Sequence, residues 1–404
     1  MGLVSLPLIL LTLFGIAIGE LPRLRMNRAT IALVGAVLLV AVGALPLDTA
    51  LRAIDASTLI LLFSMMILIA HLELAGFFDW VAAWIVARAT SPRVLLGWIV
   101  VTSGVLAALF LNDTVVLMLT PLVLQVTLAL KRNPVPYLLA LATSANIGSV
   151  ATITGNPQNI LIGTSSGIPF AAFLLHLAPV ALAGMGIAYA MIFVVYRAEF
   201  SAQRFETALE NKRSLQTPLL RKTLMITAVL LTAFLLGAPI AVAALVAAAA
   251  LLITRTTEPE EIFARVDWTL LIFFAGLFVV TGAIEYLGWS QEIFAVIEPI
   301  ARGGVAPLAV VTVGLSNLIS NVPAVMLFRP IVPQFSNPVQ TWLTLAMAST
   351  LAGNLTLLGS VANLIVAESA RTRGVKLSFR EYLKVGVPIT VLTVAVGIVW
   401  LSFV

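Results

Sequence analysis

Apolar residues in this chain fall into blocks of roughly bilayer length, and polar positions are confined to short intervals between them. About 20 apolar residues are needed to cross a hydrocarbon core as a helix. On that criterion, spans are predicted at about 3–20, 29–46, 57–75, 138–164, 170–195, 223–237, 239–254, 268–286, 341–370 and 384–404. Two further apolar stretches, 77–131 and 289–335, are not counted as crossings. Each begins with a helical-period segment carrying charged ends, FFDWVAAWIVAR or WSQEIFAVIEPIAR, which suits a helix lying in the interface. Each continues as two apolar arms meeting at a polar corner, Asn112-Asp113-Thr114 or Ser320-Asn321, which reads as a re-entrant hairpin.

The same order of elements occurs twice. Asp55, Leu59, Ile60, Glu73 and Gly76 recur 212 residues later as Asp267, Leu271, Ile272, Glu285 and Gly288. Asn112 and Pro121 recur 209 residues on as Asn321 and Pro330, and Gly155 and Asn159 recur 204 on as Gly359 and Asn363. The expected organisation is therefore a first repeat at 1–196, a cytoplasmic linker at 197–222 and a second repeat at 223–404. With five crossings each, the halves must be inverted. Inverted repeats with interrupted helices mark secondary transporters with a site at the midplane between the halves.

Composition agrees with this all-α polytopic class: 61% of residues are hydrophobic and only 10% charged, against about a quarter charged in soluble domains. With no cysteine, the chain has no disulfide, thiolate metal site or thiol nucleophile. A net charge of +5 would suit nucleic acid, but the basic residues instead sort by side. With both termini outside, the inward loops hold Arg23, Arg25, Arg28, Arg88, Arg93, Lys131, Arg132, Arg197, Arg204, Lys212, Arg213, Arg221, Lys222, Arg255, Arg265, Arg371, Arg373, Lys376, Arg380 and Lys384. Only Arg52, Arg302 and Arg329 remain outside. The expected partners are the lipid bilayer, a small solute and a coupling ion, with no nucleic acid, and the first apolar run is read as a retained helix.

The interruptions carry the chemistry. Thr143 to Asn159 would be costly facing lipid but tolerable around a buried, hydrated cavity. Pro157, Gly148 and Gly155 favour unwinding there, which would free N–H groups for substrate oxygens and carbonyls for a cation. The stretch from Thr350 to Asn363 repeats the arrangement without a proline. Asp113 breaks the symmetry, since Val322 stands opposite it. A carboxyl group at this depth must be paired, hydrated or protonated, so Asp113 is the candidate for coupling transport to a proton or sodium ion; the plainer alternative is a cap on the N–H of Val115 or Val116. Gly163-Thr-Ser165-Ser-Gly167 fits a nucleophile elbow only in a strand-turn-helix context. His71 and His176 read as hydrogen-bonded core residues, Glu73 and Glu285 as solvated caps near the outer interface, and Glu368 as a further candidate beside Asn363.

LNDTVVLMLTP, SANIGSVATITGNPQN, SNLISNVPAV and AGNLTLLGSVANLIVAE resemble the ion-transporter superfamily, nearest to arsenite-efflux permeases and plant silicic-acid efflux transporters. The resemblance spans about 50–400. It implies two re-entrant hairpins, two broken helices and transport driven by a proton or sodium gradient, without another cofactor. The residues it implies for substrate are Asn112, Thr114, Asn146, Thr152, Thr154, Asn156, Asn159, Ser320, Asn321, Asn354, Thr356, Ser360 and Asn363. Those for the coupling ion are Asp113, Gly155 and Gly359. A homodimer and a cytosolic ATPase partner are compatible with it, though no residue supplies a docking surface. The dicarboxylate branch carries Ser-Asn-Thr at both tips, whereas here one tip reads Asn-Asp-Thr and the other Ser-Asn-Val. The site also lacks Arg and Lys, which favours a neutral polyhydroxyl solute such as arsenous, antimonous or silicic acid. A sodium-coupled di- or tricarboxylate or inorganic-anion transporter and a sodium/proton antiporter are the alternatives, and a channel would show no coupling.

Overall fold

The computed structural model describes residues 2–21, 25–200, 217–253, 257–301 and 303–404. Most of the 197–222 linker, together with Arg23, Arg204, Lys212, Arg213, Arg255 and Arg302, lies outside the described residues. The fold is all-α and polytopic, with one two-residue ladder pairing Glu20–Leu21 with Met26–Asn27. Among the described residues, seven helices are long and apolar enough to cross a membrane.

The repeat residues prove to be punctuation. Asp55 and Asp267 are N-caps, accepting from the N–H of Thr58 and of Leu270 at 3.0 Å each. Gly76 and Gly288 follow the ends of the same two helices, Ala56–Leu74 and Trp268–Tyr286, with φ of +77° and +81°, the left-handed conformation a helix stop favours. The broken helices also start alike. Asn133 caps Pro134–Ser149 and Asn337 caps Pro338–Ala352, each with a proline as first helical residue.

Helices pair reciprocally between the halves: Arg28–Ala41 packs on Trp268–Tyr286, and Ile240–Leu252 on Ala56–Leu74. The fifth helices, Phe170–Val195 and Phe379–Leu401, pack on each other. Tyr196 donates to Glu381 Oε1 at 2.6 Å at one end of this pair, and Trp400 donates to the carbonyl of His176 at 2.7 Å at the other. Equivalent helices therefore run antiparallel, as the inverted repeat requires.

Other long-range contacts sort the loops into two ends. Arg93 donates to the carbonyl of Phe200 at 2.9 Å, and Tyr137 to Glu199 at 3.3 Å. Both ends of the stretch between them thus meet 199–200, so the arms Pro92–Leu109 and Asn112–Ala129 leave one end of the bundle and return to it. Each arm is long enough by itself to count among the seven apolar helices. In the second half the arms are Val305–Ile319 and only eight residues, Asn321–Phe328. At the opposite end, Arg329 pairs with Asp55 at 3.1 Å and Gln340 donates to the carbonyl of Leu401 at 2.9 Å. Glu73 corrects its expectation: it lies 3.5 Å from Arg265, at the end that the charge count assigns to the inward loops.

Candidate functional site

Both broken helices unwind where the glycine and asparagine spacing places the break. Pro134–Ser149 stops, passes through a 3-10 turn at Ile153–Gly155 and restarts as Pro157–Ser166. Pro338–Ala352 stops, passes through Leu357–Gly359 and restarts as Val361–Arg371. Unwinding frees backbone carbonyls, and one asparagine in each half recaptures a pair of them. The Asn159 amide donates to the carbonyls of Ser149 and Thr152 at 3.0 Å each. Asn363 donates to those of Gly353 at 2.7 Å and Thr356 at 3.1 Å. Asn159 and Asn363 therefore serve as backbone clamps on carbonyls that the sequence reading offered to a cation.

Between the breaks lie two polar hubs. Asn146 Oδ1 accepts from Asn112 Nδ2 at 2.9 Å and from Ser360 Oγ at 3.1 Å. Its Nδ2 donates to Asn354 Oδ1 at 2.9 Å and Asn363 Oδ1 at 3.1 Å. Its amide is thus saturated, and it joins the first hairpin tip to the second half's broken helix. The opposite hub is Thr350, whose hydroxyl accepts from Asn156 Nδ2 at 3.1 Å and Gln158 Nε2 at 3.3 Å and donates to Asn159 Oδ1 at 3.3 Å. The N-cap residue of each restarted helix, Asn156 or Ser360, therefore reaches the hub of the other half.

The amide orientations follow from fixed backbone. Asn363 Nδ2 is held by two carbonyls, so its Oδ1 must receive Asn146 Nδ2, and Asn146 Oδ1 must then receive Asn112. This leaves Asn112 Oδ1 buried without a partner. Asn317 Nδ2 donates to the carbonyls of Val313 and Ala352 at 3.1 Å each, leaving its Oδ1 likewise unpaired. Asn321 Oδ1 is also buried and unpaired. At Asn112 and Asn317 the uncommitted amide atom is therefore an acceptor, which seeks an O–H donor or a cation, while no hydrogen bond fixes the amide of Asn321.

Asp113 and Thr114 sit half-buried in the first turn of their arm, and that arm has no side-chain cap. The Asp113 carboxyl instead lies near the start of the other half's restarted helix, where the Ala362 N–H donates to Ser360 Oγ at 3.2 Å. Gly155 and Gly359 occupy unlike surroundings. A Cβ on Gly155 would lie 2.3 Å from the carbonyl oxygen of Ser149, whereas on Gly359 it would meet three oxygens, Asn317 Oδ1, Gly353 O and Ala352 O, at 3.1–3.2 Å. The second glycine faces a small oxygen-lined recess. Ser320, at the second tip, has φ +79° and ψ 156°, a region nearly reserved for glycine.

Several expected site residues fall outside this cluster. Thr152 donates to the carbonyl of Ala108 and contacts Thr154, so both pack against the first hairpin arm. Thr356 contributes its carbonyl to the Asn363 clamp. Glu368 is exposed and paired with Arg371 at 2.6 Å, away from the network. His71 bonds the carbonyl of Ile67 at 2.8 Å as a core residue, the half-buried His176 bonds that of Ala172 at 2.6 Å, and Thr164 to Ser166 finish a helix. Thr350, Gln158 and Asn317 were missed, although Thr350 stands at the repeat offset from Asn146 and Ser316-Asn317 echoes Ser320-Asn321.

The profile of the family described as "Citrate transporter" matches residues 9–352. The chain belongs to this family, within the ion-transporter superfamily. It is 34% identical over 479 aligned positions to the "Silicon efflux transporter LSI3" of Oryza sativa, covering 98% of each chain. It is 29% identical to a "46 kDa membrane protein" of Mycobacterium leprae, covering 97% of each. It is 26% identical to the "Putative transporter arsB" of Dictyostelium discoideum, covering 93% of this chain and 87% of that one. This citrate-transporter family member is therefore a multi-pass membrane transporter and not an enzyme.

Proposed function

We propose that the protein exports a small neutral polyhydroxyl solute, of the arsenous, antimonous or silicic acid type, across the plasma membrane by alternating access. The observation that carries this reading is the acceptor character of the tips. Asn112 and Asn317, their N–H groups already committed, offer buried, unpaired amide oxygens, and a solute bearing several O–H groups satisfies them while a polyanion does not. The silicon efflux relative and the arsB-named relative support the same substrate class. Asp113 takes up the inward-moving proton, and ten crossings place both termini outside and the 197–222 linker in the cytoplasm.

The recess beside Gly359 favours a second reading for the coupling step. Its three oxygens suit a bare sodium ion, and a sodium site there would allow an anionic substrate to be neutralised.

Flux into proteoliposomes of arsenite, silicic acid and succinate, under imposed proton or sodium gradients, separates these readings. The proposal expects silicic acid or arsenite flux driven by a pH gradient and lost in Asp113→Asn. Succinate flux driven by sodium and unchanged in Asp113→Asn would overturn it.

A further inference from the structure

The two halves differ most where their hairpins meet the start of the broken helix. In the first half this space is lined by apolar side chains including Ile99, Leu119, Leu122, Val123 and Leu141, and leaves about 20 Å³, room for little more than one water. In the second half a cleft of about 390 Å³ opens at the corresponding place, lined by Gln334, Ser336, Asn337, Gln340, Thr341 and Thr344, with Glu298 beside them. Arm length accounts for the difference. The first half's second arm continues for 18 residues and fills the gap, while its counterpart ends at Phe328 and returns through a short 3-10 turn at Val332–Gln334.

The two threonines of this cleft have already spent their protons. Thr341 and Thr344 donate to the carbonyls of Asn337 and Gln340 at 2.9 and 2.7 Å. Gln340 uses its amide N–H on Leu401, and Asn337 Oδ1 receives the Gln340 backbone N–H. The wall therefore offers both lone pairs, on Thr341 and Thr344, and donors, on Gln334, Ser336 and the Asn337 amide, with no Arg or Lys among its lining residues. Such a surface suits a neutral polyhydroxyl, which donates and accepts at once, and supplies no cation to neutralise an anion. Leu308 also lines the cleft, and Thr312 and Ser316 follow one and two turns deeper on the same helix, both buried. Thr312 donates to Leu308 at 2.7 Å, while Ser316 Oγ has no partner, directly before Asn317.

We propose that this cleft is a separate vestibule on the outer side that binds the neutral hydroxylated solute and connects, along Thr312 and Ser316, with the second hairpin tip. The inference rests on the transporter reading above for the identity of its solute, and its test does not require transport. Because the chain has no cysteine, single thiols can be introduced into the otherwise unaltered protein. Thr341→Cys in right-side-out vesicles should react with a membrane-impermeant thiosulfonate, and silicic acid, which does not attack thiols, should slow the reaction about fivefold while succinate does not. Val123→Cys, at the apolar counterpart, should stay unlabelled. Ser316→Cys should label from outside only while silicic acid is being transported. Equal labelling of Val123→Cys, protection by succinate in place of silicic acid, or a Ser316→Cys that stays unlabelled while wild-type rates of silicic acid flux continue would each overturn the vestibule. If the unsubstituted protein moves no silicic acid yet Thr341→Cys is protected by it, the vestibule stands and the export reading fails.

Discussion

The Asn146 and Thr350 hubs occupy equivalent positions and do the same task with different chemistry. An amide has two donors and an acceptor able to take two bonds, so Asn146 gathers four partners, including Asn112 of its own hairpin tip. A hydroxyl has a single proton, so Thr350 gathers three and leaves Asn321 outside its network. One tip is thus locked to the crossing and relaxed, with Phe110 and Leu111 in ordinary extended conformations. The other is detached from its hub and strained at Ser320. A duplicated scaffold has kept its clamps, Asn159 and Asn363, and diversified its tips. The lesson is that symmetry here belongs to the backbone repair, and asymmetry to the groups left free for solute.

Breaking the saturated hub should cost most. Asn146→Ala strands partners on Asn112, Ser360, Asn354 and Asn363, and is expected to lose about 3–5 kcal/mol of stability and all flux, read by thermal unfolding in detergent and by transport. Thr350→Val keeps the shape but strands the Asn156 and Gln158 donors, so a smaller loss of about 1–2 kcal/mol is expected in the same assay. Near-equal losses would dissolve the distinction between the hubs. Asp55→Asn retains the cap on Thr58 while removing the charge facing Arg329. A loss of about 0.5–1 kcal/mol is expected, shrinking in high salt. Ser320→Gly should have the opposite sign, gaining up to about 1 kcal/mol as the strained φ is relieved against glycine's entropic cost. If it destabilises instead, Ser320 is held by contacts stronger than its strain.

Much of this was legible because repeats report punctuation. Asp55 with Gly76 and Asp267 with Gly288 recur since a membrane helix needs its start and stop wherever it sits, and those caps survive in the residue pattern. Gly-x-x-x-Asn located both breaks for the same reason. What the pattern could not show was direction of donation. The spacing of Asn159 and Asn363 is the same whether their amides face a solute or recapture their own carbonyls, and only coordinates distinguish the two. Thr350, named only as the start of the second break, was not read as a hub because its repeat partner is an asparagine, a match by position and not by residue type. Glu73 was placed on the wrong side although the charge count itself, through Arg265, put that end among the basic loops.

The short arm Asn321–Phe328 bears on how the chain is built into the bilayer. Eight residues rise only about 12 Å as a helix, too little for a translocation channel to release into lipid as an independent segment. The first half, made earlier and equipped with full-length arms, must then already be in place to receive it, so biogenesis runs in one order and a chain with its halves exchanged should mature slowly.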